Sequence, residues 1–320
     1  MRCLIITARP LAWAALFLWA IVSLMLGGCA VQTRALREHP PVDLPHKAEL
    51  ASTPFFAQTE YQCGPAALAT ALSAIGVAAD PAVLGQEVFL PARTGTLQVE
   101  MIAGARRHGV LATRMPQELE AVLREVQGGH PVVVLQNLGL SWAPMWHYAV
   151  LVGYDIDEGD VILRSGQTER QLLPMRTFEH TWKRSGSWAF VVTPPGQWPA
   201  QADEKSAVEA AVGFERNATP SQAVMVYRSA LARWPANLSL RMGLGNSLYG
   251  AGDKRAAADA FREAATTHRS APAWINLSAT LLELGDKQAA IDAAQQAIAL
   301  ADDAWQGQAR EALSAAQTAR

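Results

Sequence analysis

Cysteine is scarce in this chain: three in 320 residues, at Cys3, Cys29 and Cys63. So few exclude a disulfide scaffold, and no Cys-x-x-Cys pair exists for zinc or redox chemistry. An excess of one charge is missing too. With 27 Lys+Arg against 29 Asp+Glu the net charge is −2, and no Lys/Arg-rich run occurs. That removes the electrostatic footprint of a nucleic-acid binder, so no nucleic-acid partner is expected. Half the residues are hydrophobic and 18% are charged, a globular balance. At 320 residues the chain exceeds what one core usually needs, and two domains are expected.

Long apolar runs are equally rare, with one exception at the start. Arg2 and Arg9 precede Leu11–Leu26, where Ser23 is the only polar residue. A basic stretch followed by an apolar run shorter than the ~20 residues of a bilayer span is the pattern of a secretory signal. The run ends in Leu26-Gly27-Gly28-Cys29, which resembles the lipobox of bacterial lipoproteins. That resemblance implies removal of residues 1–28 as a signal peptide and a lipid on Cys29. Acyl chains would hold the protein on a membrane at about 0.8 kcal/mol per buried CH₂. Ala30 stands where Asp commonly signals inner-membrane retention, so a periplasm-facing outer-membrane location is the rule-based expectation. The alternative is an uncleaved N-terminal anchor; it also leaves the rest of the chain outside the cytoplasm.

Residues 29–50 are polar and proline-containing and read as a tether. Residues 51–195 mix helix and strand signals. Gly64–Gly76, Leu97–His108 and Gln117–Val126 carry helical spacing. Pro131–Gln136, His147–Tyr154, Asp160–Arg164 and Trp188–Thr193 are apolar runs of strand length. Helices followed by a run of strands indicate an α+β domain, with strands buried on both faces. Pro194–Pro199 and the polar residues after it mark a linker over 196–205. From 206 to 320 every strand signal disappears and alanine-rich helical text takes over.

That text repeats. Leu244-Gly245…Gly252-Asp253-Lys254…Phe261 recurs as Leu277-Ser278…Gly285-Asp286-Lys287…Ala294, at an offset of 33 residues. A fainter copy lies upstream, around Phe214, Tyr227 and Pro235. A small residue at a helix crossing, a Gly-Asp turn and a second helix resemble the tetratricopeptide repeat. Three hairpins over Ser206–Asp303 and a capping helix over Trp305–Ala319 are expected. Such arrays bind protein partners.

With a signal peptide removed and Cys29 acylated, Cys63 is the one free thiol left in an oxidising compartment, where it needs a reason to persist. Cys63-Gly64-Pro65 opens an apolar helix, and unpaired amides at a helix N-terminus favour thiolate. A thiolate nucleophile needs an imidazole and a group to orient it. Of seven histidines, His39 and His46 lie in the tether and His268 in the repeats; His108, His130 and His180 fall near turns. His147 opens the strongest strand pattern, which would fix its position. Trp142 and Trp146, just before it, would either wall a cleft or pack in the core.

Gln58-x4-Cys63-Gly64-Pro65-Ala66-Ala67-Leu68, Gly95-Thr96, Gly129-His130-Pro131 and the block His147–Tyr154 resemble the bacteriocin-processing, double-glycine cysteine peptidases, over roughly Thr53–Thr193. The resemblance implies a papain-like cysteine peptidase domain followed by an all-α tetratricopeptide-repeat domain. It implies Cys63 as nucleophile, His147 as general base and acid, and Gln58 as oxyanion donor beside the Cys63 amide. It also implies a peptide substrate, cut after Gly-Gly in typical members, and no cofactor or metal. The departure is the third member. Where the family usually has Asp-Pro, this chain has Ser165-Gly166-Gln167. Ser165 or Gln167 would orient the ring, and Asp155 and Asp157 read as solvated turn residues. Slow turnover, or an inert peptide-binding relative, is compatible with that change.

Overall fold

Two kinds of apolar pattern divide the described chain, residues 30–58 and 62–319 of a computed structural model. Apolar runs of strand length form the centre of a sheet up to Thr193, and helical spacing takes over from Glu204. The expected signal peptide, with Cys3, and the lipidation site Cys29 lie outside the described residues. Among the described residues no helix is long and apolar enough to cross a membrane.

The first part runs α1 (Val31–Glu38), β1 (Lys47–Glu49), α2 (Cys63–Ala74), α3 (Pro81–Val88), α4 (Gln98–Arg107), β2 (Leu111–Arg114) and α5 (Leu119–Gln127). It continues with β3 (Val132–Asn137), β4 (Trp146–Asp155), β5 (Asp160–Ser165), β6 (Thr168–Pro174), α6 (Met175–Lys183) and β7 (Ala189–Thr193). The strands form one antiparallel sheet in the order β2-β7-β3-β4-β5-β6, with β1 also pairing β4. Alternation decides the layers. Val132, Val134, Ala149 and Leu151 face a core closed by α5 and α6. Val133, Leu135, Tyr148 and Val150 face a core closed by α2, α3 and α4. Both faces of β3 are therefore dry, which is why it opens Val-Val-Val-Leu before Gln136 and Asn137.

The tether expected over residues 29–50 is, from Ala30 on, part of the fold. Buried Glu179 on α6 accepts from the backbone N–H groups of Gln32 (3.1 Å) and Thr33 (2.7 Å) and from the Thr33 hydroxyl (2.7 Å). A carboxylate at a helix N-terminus meets both its orphan amides and its positive end. Leu36 and Leu44 are buried behind it, and β1 pairs β4 from Lys47↔Asp155 to Glu49↔Gly153. A polar, proline-bearing segment hid two anchoring leucines.

The second part is α7 (Glu204–Glu215), α8 (Pro220–Arg233), α9 (Leu238–Gly250), α10 (Lys254–His268), α11 (Ala271–Glu283), α12 (Lys287–Leu300) and α13 (Gln306–Thr318), three hairpins and a last helix. Asp203, Thr219, Asn237, Asp253, Ser270 and Asp286 each cap a helix start with a side-chain acceptor. The repeat conserves volume across its crossing points. A Cβ on Gly245 would stand 2.4 Å from the Phe261 ring. One repeat later the partner is Ala294, and Ser278 fits, its hydroxyl donating to the Ala290 carbonyl at 2.8 Å.

The linker is docked. Trp198 meets Trp234 edge-on at 5.8 Å and donates its indole N–H to Ser229 at 2.9 Å. Arg233 donates to the carbonyls of Pro199, Ala200 and Ala202. Leu111 of β2 joins the core of the helical part, and α7 rests on β2.

Candidate active site

Cys63 is the first residue of α2, half-buried, at the end of the helix where amides lack intrahelical partners. Gly64 follows because the loop before α4 lies directly on it. A Cβ there would be 2.7 Å from both Cβ and Oγ1 of Thr96. His147 is the second residue of β4, held by the register Gln136↔His147 to β3. The backbone N–H of its neighbour Tyr148 reaches the Cys63 sulfur, so the start of β4 and the start of α2 meet at the thiol.

Both side chains line one cleft of about 910 Å³, together with Gln58, Thr96, Trp146 and Gly166. The His147 Nε2 is 2.8 Å from the Ser165 hydroxyl. That leaves Nδ1 as the ring nitrogen that Ser165 does not hold. Of the two proposed orienting residues, Ser165 is the one that reaches the imidazole.

Gln167 is committed elsewhere. Its amide donates to the Gln58 carbonyl at 3.0 Å, and the Gln58 N–H donates to the Gly166 carbonyl at 2.9 Å. Gly166 has φ +59°, as a two-residue hairpin turn between β5 and β6 requires. One turn, Ser165-Gly166-Gln167, therefore holds the histidine with its first residue and Gln58 with the other two. The Gln58 side chain, in a residue only 8% exposed, is left in the cleft wall. Arg164, just before the turn, is buried and donates to the carbonyls of Ala51, Thr53 and Glu169. It ties the segment leading to Gln58 onto the sheet.

Burial sets the protonation states. It pushes the Cys63 thiol above its ordinary range, and the amides of Tyr148, Gly64 and Cys63 only partly offset it. It also lowers the His147 pKa. The helix N-terminus does favour thiolate, as expected, but desolvation outweighs it. Both shifts favour the neutral forms, a thiol and an unprotonated imidazole, in one cleft. Groups in those forms can react by general-base transfer, rather than from a preformed ion pair.

The other expectations sort clearly. Asp155 pairs with Lys47 at 3.1 Å and Asp157 lies 2.8 Å from His46, both at the far end of β4. His108 meets Glu87 (3.2 Å) and His130 meets Glu125 (2.8 Å), away from the cleft. Trp146 lines the cleft, whereas Trp142 is 82% exposed on the loop before β4. Thr96 was missed as a site residue. Its hydroxyl is buried without a hydrogen-bond partner among the described residues and borders the cleft beside Gly64. The Gly95-Thr96 pair before α4 was the available signal.

Residues 50–190 match the model of the Peptidase_C39 like family. Among solved structures, a C39-like peptidase from Bacillus anthracis is 20% identical, with a TM-score of 0.40, covering 46% of this chain and 97% of that one. A double glycine motif protease from an AMS/PCAT transporter, in complex with the leader peptide, is 18% identical, with a TM-score of 0.35, covering 45% and 93%. On the helical side, the type III secretion chaperone SycD of Yersinia enterocolitica, in complex with a peptide of the translocator YopD, is 14% identical, with a TM-score of 0.33, covering 35% and 91%. No curated protein sequence matches the chain. The family match spans the helix that starts at Cys63, the strand that carries His147 and the turn at Ser165. Residues 50–190 are thus what matches the Peptidase_C39 like family, and helical hairpins whose sequence resembles tetratricopeptide repeats follow in the same chain.

Proposed function

We propose that this chain is a lipid-anchored, periplasm-facing cysteine peptidase whose repeats recruit a protein partner or substrate. The observation that carries the catalytic reading is that Cys63 and His147 line one cleft, with Nε2 of the ring occupied by Ser165; Nδ1 is the nitrogen this reading assigns to the thiol. The Cys63 sulfur attacks the peptide carbonyl as its proton moves to Nδ1. The oxyanion is met by the Cys63 backbone N–H and the Gln58 side-chain amide. The C–N bond then breaks, and the leaving amine takes the proton from Nδ1. Water, deprotonated by the same nitrogen, attacks the thioester; the carboxylic product leaves and the thiol is restored. Cleavage after Gly-Gly suits a nucleophile flanked by Thr96 and Trp146, which favour small residues.

The anchor reading rests on Leu11–Leu26 and Cys29. Its check is the mass of the N-terminal peptide and the release of a Cys29→Ser variant from the membrane fraction. A second reading, an inert peptide-binding lipoprotein, is favoured by a serine hydroxyl rather than a carboxylate at His147 Nε2 and by the raised thiol pKa. The deciding experiment incubates the full chain with a peptide library containing Gly-Gly sequences, with and without added amines. Products are read by mass spectrometry and Cys63→Ala serves as blank. Cys63-dependent carboxylate products support hydrolysis, and amine adducts indicate acyl transfer. A folded chain that cuts nothing supports the inert reading.

A further inference from the structure

A second cavity, about 750 Å³, lies where the peptidase domain meets the first repeat helix. Gln98 and Ser185 line both this cavity and the catalytic cleft, so the two adjoin. Its walls carry three guanidinium groups: Arg106 from α4, Arg114 from β2 and Arg216 from the end of α7. One carboxylate, Glu209, lines it as well, and Glu118, Asp203 and Lys205 stand in the adjoining depression shared with Arg114.

Arg106 is the unusual member. Its Nε is buried with no hydrogen-bond partner among the described residues, while Nη2 donates to the Glu209 carbonyl at 3.0 Å. Its guanidinium lies flat on Gly213 of α7, where a Cβ would stand 2.1 Å from Cζ. Burial and the neighbouring Arg216 both act against its charged form, with Glu209 acting the other way. A guanidinium short of a partner, repelled by a second and near a third, is a site short of negative charge.

We propose that this interdomain cavity is a substrate subsite that takes an acidic side chain of the peptide lying in the catalytic cleft. The inference rests on the peptidase reading for the direction of the chain, not for the existence of the site. The repeat helix supplies Arg216 and Gly213, so the site exists only because the repeats dock here. The geometry also fixes a distance. From Gln98, shared by both cavities, to Arg106 the helix rises about 12 Å, which an extended peptide covers in three to four residues at ~3.3–3.6 Å each. The acidic residue therefore lies four or more residues from the scissile bond.

The test uses the full chain carrying Cys63→Ala, so that binding is read without turnover. Two fluorescein-labelled peptides share a central Gly-Gly and differ only in Glu against Gln on the flanks, four and more residues away. The Glu peptide is expected to bind about fivefold to tenfold more tightly at low salt, a preference that fades near 0.5 M salt. Arg114→Glu and Arg216→Glu, both exposed positions, are expected to abolish the preference. The charge-matched Arg255→Glu, in the repeats, is expected to keep it. Equal affinities, or a Glu preference that survives Arg114→Glu and Arg216→Glu, overturn the proposal. Native chain that cleaves without a Glu preference refutes the subsite alone, and a Glu preference in a chain that never cleaves refutes the peptidase reading alone.

Discussion

Removing the Ser165 hydroxyl separates a serine-oriented histidine from one that needs no orienting partner. Ser165 is 8% exposed and its hydroxyl lies 2.8 Å from His147 Nε2. In Ser165→Ala one neutral hydrogen bond is lost. Such a bond is worth about 0.5–1.5 kcal/mol, so kcat/KM should fall about twofold to tenfold at 1.36 kcal/mol per decade. Loss of a triad carboxylate, by contrast, costs about 10⁴. Ser165→Asp installs the charge this chain lacks. A carboxylate beside the ring favours imidazolium, so the His147 pKa rises. Activity requires a neutral imidazole and a protonated thiol, or the equivalent proton count. The native acid limb therefore lies below the ordinary histidine value of about 6.5 and the basic limb above the ordinary cysteine value of about 8.5. Ser165→Asp should move the acid limb upward. The assay is kcat/KM against pH on a peptide the native chain cleaves, with thermal melts to confirm folding. A loss near 10³-fold in Ser165→Ala, no loss at all, or an acid limb unmoved in Ser165→Asp refutes the assignment.

Other expectations follow from single contacts. Gln58→Ala should lower kcat by about 10²–10³ with KM little changed, read by steady-state kinetics. Arg164→Met strips the carbonyls of Ala51, Thr53 and Glu169 of their buried donor; chemical denaturation should show a loss of roughly 3 kcal/mol. In the repeats, Gly245→Ser forces Phe261 aside and should cost about 1–3 kcal/mol. Adding Phe261→Ala recreates the Ser278–Ala294 arrangement, so the double variant should beat the sum of the singles by about 1 kcal/mol or more.

What the sequence disclosed was local. α2, β3 and β4 were legible because their apolar spacing is unbroken, and the repeats because Gly-Asp-Lys recurs in step with a helix start. β6 escaped because an edge strand wet along most of its length shows no apolar run. α3 escaped although Asp80-Pro81 is a helix-start signal, with the Asp80 carboxylate accepting from the Ala82 N–H at 2.8 Å. The segment 30–50 depended on Glu179, far along the chain, and nothing local announces such a partner. The same is true of Gln167, whose partner Gln58 lies before the nucleophile. The helix-start argument for a Cys63 thiolate had the right sign for the amides. It lacked the desolvation that only the assembled cleft supplies.

The account stands or falls on whether His147 activates Cys63. The direct measurement is the rate at which a peptidyl electrophile modifies Cys63 in the folded full chain near neutral pH, followed on the Cys63-containing peptide by mass spectrometry. The account predicts rapid labelling of Cys63 and its loss, by at least about 10², in His147→Ala. A folded chain whose Cys63 is not labelled, or is labelled equally fast without His147, contradicts it.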